Sequence, residues 1–330
     1  MKHPSPRHPK LLAMLVGVLA VALSGCLSAD DPSAPRVWGG AYVKYQSGVS
    51  MYNTVLQFEW SYAGKNMDSV RLYDRWDHGF PSADHLRFRS RGMRMVLGIE
   101  TRRVSGAPVS WRSIANASSG SSLYNEMVSK ARKLRDFGAP ITVVFNHEPE
   151  ETNNFGLNES ASDFKAAFNR FGAILEQQGA DNVKLAWVLS SWSFYATDSH
   201  RASNWYPGDR YVDVIGSDGY NWSNCRRSSD TWRSFSTVFG AFRDFGRAHP
   251  NKPLLIAEVG SVEDRNNPNR KGDWIRNMAD VLQSPGWGQI TTVLWFNSID
   301  GTYGCDWRIQ TSSRSVNAWK SVLQRSYFGG

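Results

Sequence analysis

The sequence predicts an α/β fold, a single (β/α)8 TIM barrel, from three observations. Eight short runs rich in β-branched or aromatic residues recur along the chain. A helical or long connection follows each of them, and the Gly-rich phosphate turn of an open doubly wound sheet is missing after the first. Barrels of this kind fill ~250 residues as one unit, so a chain of 330 residues needs no second domain.

Residues 1–26 read as a leader outside that fold. A basic start with Lys2, Arg7 and Lys10 precedes an apolar stretch over residues 11–23, which is short for a membrane span of ~20. Leu23-Ser24-Gly25-Cys26 then resembles a bacterial lipobox, whose cysteine carries the lipid; the alternative is an ordinary signal peptide or an uncleaved anchor with an incidental cysteine. Residues 27–35, rich in Ser, Ala, Asp and Pro, form a short tether, and 36–330 the barrel domain. The expected location is outside the cytoplasm, as a surface lipoprotein held at the membrane through Cys26 or as a secreted protein. In an oxidising compartment Cys225 and Cys305 are then the available disulfide pair, with two free thiols as the alternative.

The strand candidates are Arg36–Val43, Val70–Trp76, Met93–Glu100, Ile141–Glu148, Val183–Ser190, Val212–Tyr220, Pro253–Gly260 and Thr291–Asn297. Helical stripes separate them: Leu123, Met127, Ala131 and Leu134; Phe164, Phe168, Phe171 and Leu175; Trp232, Phe235, Phe239 and Phe242. A last helix over Ser315–Arg325 presents Val316, Trp319 and Leu323. These aromatic stripes are core, not a binding box.

A formal net charge of +8 is mildly basic, and three of the cations lie in the leader. The run Arg87, Arg89, Arg91 and Arg94 carries no nucleic-acid-binding motif, so nucleic acid is not an expected partner. That run reads as a solvated face, or alternatively as a contact for an anionic polymer. Seven scattered histidines and no cysteine cluster indicate no metal site. Neither a G-x-S-x-G elbow nor a P-loop occurs, and no cofactor is implied.

A barrel places its chemistry at the carboxyl ends of its strands. The fourth run ends Val143-Val144-Phe145-Asn146-His147-Glu148-Pro149 and the seventh Ile256-Ala257-Glu258-Val259-Gly260, so two glutamates close two buried strands. Cleaving a glycosidic bond needs such a pair, an acid for the departing oxygen and a carboxylate that attacks the anomeric carbon or activates water. Like charges in one site push the pKa of one partner upward and so separate the roles. Glu150 and Glu151 read as solvated, and Glu100, closing the third run, as a weaker candidate for contacting substrate hydroxyls. Fourteen tryptophans are many for one domain. Trp111, Trp192, Trp205, Trp222 and Trp307 fall in connections at the active face, where an aromatic ring can stack on a sugar.

These residues resemble the retaining (β/α)8 glycosidase clan. The His147-Glu148 pair, with Glu258 on strand seven, is similar to glycoside hydrolase family 26, whose commonest target is β-mannan. The resemblance implies Glu148 as general acid/base, Glu258 as nucleophile and His147 as the group that hydrogen-bonds the nucleophile. It further implies Tyr220 as a donor to that carboxylate and Trp295 as an apolar floor under the reacting sugar. Where members follow the acid/base with a Met-Asn-Gly-like turn, this chain has Pro149-Glu150-Glu151-Thr152-Asn153-Asn154-Phe155, so the substrate subsites differ. The expectation is a monomeric, retaining, endo-acting β-mannanase. An envelope or exopolysaccharide glycosidase and a non-catalytic sugar-binding lipoprotein are the alternatives.

Overall fold

The computed structural model describes residues 36–329; the leader, Cys26 and the 27–35 tether lie outside the described residues. All eight strands form: β1 (Trp38–Val43), β2 (Ser69–Asp74), β3 (Arg94–Ile99), β4 (Ile141–Phe145), β5 (Val183–Ser190), β6 (Val214–Asn221), β7 (Leu254–Ser261) and β8 (Ile290–Asn297). They pair in sequence order, all parallel, and β8 returns to β1 with Gly40 opposite Leu294, which closes the barrel.

The helices are α1 (Met51–Phe58), α2 (Ala83–Ser90), α3 (Trp111–Ala115), α4 (Ser122–Asp136), α5 (Pro149–Gly156), α6 (Ala161–Gln177), α7 (Ala202–Trp205), α8 (Phe235–Arg247), α9 (Arg270–Leu282) and α10 (Ser313–Leu323). Serine opens seven of them, with Ser50, Ser82, Ser110, Ser121, Ser160, Ser234 and Ser312 each accepting from a first-turn amide. Each such cap stabilises its helix by about 1 kcal/mol. The expected stripes are buried on α4, α6 and α8, while Trp232 sits before α8 rather than on it.

Strand parity separates two cores. Val96, Val144, Ala186, Val188, Val214, Leu255, Ala257 and Leu294 fill the lumen. The alternate residues pack outward against the helices. Trp295 belongs to the outward set, which corrects its expected place under the sugar. It is fully buried, lies 6.2 Å from the ring of Trp274 and 5.7 Å from that of Trp319, and donates to the Trp307 carbonyl. Phe296, the next residue, faces inward and stacks on Tyr42 at 4.9 Å.

The run Arg87–Arg94 lies on α2 and at the start of β3, the end of the barrel away from the carboxyl ends of the strands. Arg91 pairs with Glu59, and Arg94 covers the Trp38 ring at 3.5 Å. Arg87, Arg89 and Arg94 are exposed, so the run is a solvated face, and it lies away from the expected substrate face.

Cys225 and Cys305 form a disulfide, Cα to Cα 5.7 Å, joining the loops after β6 and β8 across 80 residues. In the chain-entropy view a loop of that size is worth about 4 kcal/mol. Replacing both cysteines with serine is expected to lower the thermal midpoint by roughly 5–10 °C. Calorimetry of the double variant checks this.

Candidate active site

The four residues after β4 leave the sheet because Asn146 and Glu148 adopt left-handed backbone, with φ of 45° and 47°. The strand thus stops at Phe145, short of the expected Glu148. Pro149 opens α5, where its missing amide costs nothing, and the Glu148 amide donates to the Val188 carbonyl at 3.0 Å. Three further left-handed residues, Asn153, Asn154 and Phe155, bend α5. Non-glycine residues pay about 1–2 kcal/mol each for this conformation. A buried network holds it: Asn154 donates to Glu159 and to the Val109 carbonyl and accepts from the Thr101 hydroxyl, while the Thr101 amide donates to Asn146. Trp111 and Arg112 amides and the Ser110 hydroxyl complete the shell around Glu159.

Glu258 reaches the same rim through a bulge. Leu255 and Ala257 face the lumen, so strict alternation would turn residue 258 outward. The register skips from Ser217 opposite Ile256 to Asp218 opposite Glu258, leaving Ala257 as the extra residue, and Glu258 also faces in. Tyr73 donates to its Oε1 and Tyr220 to its Oε2. Trp307 backs Tyr220 at 4.7 Å between ring centroids, and Trp222 meets Trp307 edge-on at 4.9 Å.

Beneath the carboxylate lies Arg71, fully buried in the lumen 4.4 Å below the Tyr73 ring. Gly98 leaves room for it, since a Cβ there would come within 3.2 Å of Arg71 Nη1. Its Nη1 makes a long hydrogen bond, 3.5 Å to the Val96 carbonyl, and among the described residues Nε and Nη2 have no acceptor. Burial alone would lower its pKa, but Tyr73, Asp218 and Glu258 together raise it, so the guanidinium is held by charge.

The electrostatics separate the carboxyls. Burial, and then the field of Glu258, hold Glu148 well above the usual carboxylate range. Burial raises Glu258 too, but Arg71, Tyr220 and Tyr73 oppose it, and it is the carboxylate that ionises first. Asp218 is 1% exposed, neither oxygen has a protein partner, and burial with Glu258 and Glu148 nearby holds it far up as well. His147 is pushed down to about 3, by burial and then Arg71, and stays neutral. His147, Glu148 and Asp218 offer ligand atoms within 4.8 Å of one another, a spacing a divalent cation could use. Metal ligation needs both carboxyls ionised, whereas this site favours their acid forms.

Several sequence expectations change here. His147 makes no hydrogen bond to Glu258 among the described residues; its ring lies 5.4 Å from that of Tyr73, and the two tyrosines hold the nucleophile position. Glu150 is not solvated: it is 5% exposed, accepts from the Ser190 amide at 2.7 Å and the Ser193 hydroxyl at 3.0 Å, and burial raises it to about 8. Glu151 is exposed and accepts from the Trp192 indole, whose ring meets His200 at 5.1 Å. Glu100 is tied to Arg75 at 3.0 Å and to Arg102 at 3.6 Å. Trp111, Trp205 and Trp307 are buried, which leaves Trp192 and Trp222 as the partly exposed tryptophans of that set. Sequence reasoning missed Arg71, Tyr73 and Asp218. The available signal was a charged or hydroxylated residue inside each of two otherwise apolar strands.

Replacing Tyr73 or Tyr220 with phenylalanine removes one donor to an ionised carboxylate, worth about 2 kcal/mol or roughly thirtyfold in rate. Because the donor favours the charged form, its loss raises the Glu258 pKa, and the acid limb of the pH–rate profile is expected to move to higher pH. Steady-state kinetics across pH reads both effects.

Comparison with known proteins adds three findings. Residues 119–278 match the model for glycosyl hydrolase family 26, a span that holds both Glu148 and Glu258. Over 159 residues the chain is 32% identical to a protein called endoglucanase H from Acetivibrio thermocellus, covering 48% of this chain and 16% of that protein's length. Among solved structures, a β-mannanase from Bacteroides ovatus superposes with a TM-score of 0.60 at 16% identity, over 89% of this chain and 90% of that one. A modular endo-β-1,4-mannanase from Cellulomonas fimi gives 0.64 at 14% identity, over 89% and 72%. At such identities the structural likeness is one of fold.

Proposed function

We propose that this chain, a member of glycosyl hydrolase family 26, is a retaining, endo-acting glycoside hydrolase that cleaves β-mannan. The observation that carries this reading is the unequal treatment of two carboxyls at one barrel rim. Glu258 is steadied in its charged form by two phenol hydroxyls and Arg71, and Glu148 is kept protonated by burial and by Glu258. Glu258 then attacks the anomeric carbon while Glu148 gives its proton to the departing oxygen. In the second half Glu148, now ionised, takes a proton from water, which releases the sugar from Glu258. Neutral His147 and protonated Asp218, beside Glu148, are placed to bond hydroxyls of the reacting sugar.

A β-glucan is the second reading, favoured by the 32% identity to a protein named as an endoglucanase. Mannose and glucose differ only in the orientation of the hydroxyl at C2, next to the reacting carbon. Incubation with soluble mannan, glucomannan, mixed-linkage glucan and xylan separates the readings. The expected result is a ladder of oligosaccharides from mannan whose new reducing ends appear first as the β-anomer by proton NMR. Initial α-anomer would overturn retention, and products from glucan alone would overturn the mannan assignment.

We further propose, from the lipobox at Cys26, that this activity sits at a cell surface. Incorporation of labelled fatty acid that disappears in Cys26→Ala tests it.

A further inference from the structure

A cavity of mixed polar and apolar lining lies on the flank of the barrel, outside the carboxyl cluster. It has a volume of about 420 Å³, within the range of small-molecule sites, and lies between the loop after β2 and one face of α4. Trp76, Asp77, His78 and Phe80 line one side. Along the helix, Ser122, Asn125, Glu126, Ser129, Lys130 and Lys133 recur at the spacing of a single face over three turns. The opposite face of α4, with Met127, Ala131 and Leu134, carries its packing into the core.

Two carboxylates, Asp77 and Glu126, and two lysines, Lys130 and Lys133, line the cavity, and the carboxylates are engaged by other donors. Glu126 is occupied by Arg103 at 3.0 Å and by the Trp76 indole at 2.8 Å, and Asp77 accepts from the Val104 amide at 2.6 Å and lies 4.0 Å from Arg103. His78 is engaged with Asp74 at 2.6 Å. Among the described residues the two lysines have no carboxylate within 4.0 Å. Lys130 places one N–H on the Trp76 carbonyl at 2.6 Å and lies 5.4 Å from the centre of the Trp76 ring, leaving two donors for a ligand. Burial lowers its ammonium to about 8, so it remains charged at neutral pH, and a nearby anion would offset its desolvation.

We propose that this cavity is a secondary site for an acidic sugar unit, a uronate whose carboxylate meets Lys130 and Lys133 and whose hydroxyls meet Ser122, Asn125 and Ser129. The site does not depend on the catalytic reading, because none of these residues belongs to the carboxyl cluster. It would hold an acidic polysaccharide, or an acidic branch of one, beside the cleft.

The test follows the Trp76 indole N–H resonance of the full barrel domain as D-glucuronate, D-glucose or acetate is added. Saturable shifts with glucuronate, at least tenfold weaker with glucose and with acetate, are expected. They are expected to vanish in Lys130→Met and to weaken about tenfold in Lys133→Glu, an exposed substitution that leaves the core untouched. Unchanged binding in Lys133→Glu, equal response to glucose or to acetate, or no saturable response at all would overturn the proposal. The Glu258→Gln variant should bind glucuronate as the parent does, so loss of catalysis and loss of this site are read separately.

Discussion

Replacing Glu258 with alanine is expected to reduce polysaccharide cleavage by about 10⁵-fold while the barrel stays folded. Among the described residues no other carboxyl accepts from Tyr73 and Tyr220 at that position, and Glu148 lies across the rim. The fold should survive because Arg71 gains a new counter-charge when it loses Glu258. With Glu258 gone, the strongest charge that raises Asp218 disappears, and Asp218 ionises in its stead. A buried guanidinium stripped of every partner would instead cost several kcal/mol. Turnover of the preferred polysaccharide, measured beside the thermal midpoint, decides the matter; retained turnover would remove Glu258 from the chemistry.

The second large effect is expected at Glu148, and it depends on the leaving group. Glu148→Gln should slow cleavage of unactivated polysaccharide by about 10²- to 10⁴-fold, the usual worth of a positioned proton donor. An aryl glycoside with an acidic phenol needs no proton to depart, so formation of the glycosyl-enzyme should be nearly spared and its hydrolysis should become limiting. A burst of phenol in stopped flow is the signature. The parent profile falls on the alkaline side as Glu148 gives up its proton, and in the glutamine variant that limb should be absent. Persistence of the limb would assign it to another group.

How much of this was legible in the residues follows from what each signal reports. Hydropathy runs locate strands well, and all eight were found, because a parallel strand is buried on both faces and reads as a continuous apolar segment. That same continuity hides parity. Trp295 and Phe296 look alike in a run of that kind, yet one packs against α9 and α10 and the other faces the lumen. Glu258 faces inward only because of the bulge at Ala257, which no periodicity announces. Arg71 and Asp218 interrupt apolar strands and could have been picked out by that alone, since a charge inside a buried strand must answer to another charge. Glu150 looked solvated because its neighbours are polar; the turn at Asn153-Asn154-Phe155, held from within, buries it.

The buried acids also give the folded chain an appetite for protons. Glu148, Asp218 and Glu150 have raised pKa values when folded, about 8 for Glu150, and ordinary ones when unfolded. Between pH 6.5 and 8 these three acids bind more protons in the folded state than in the unfolded chain, and Lys130 and Lys271, lowered to about 8, offset part of that uptake near the upper end. The stability the acids contribute is fully present below their unfolded pKa values and is lost as pH rises through the folded ones, by at most ~1.4 kcal/mol per pH unit for each. His147 and His85, lowered by burial, act in the opposite sense only below about 6.5. Thermal unfolding at pH 7.5 should release protons to the buffer, and calorimetry in two buffers of different ionisation enthalpy would count them. A site built to keep one carboxyl protonated thereby makes its acids a source of stability that fades as the medium turns alkaline.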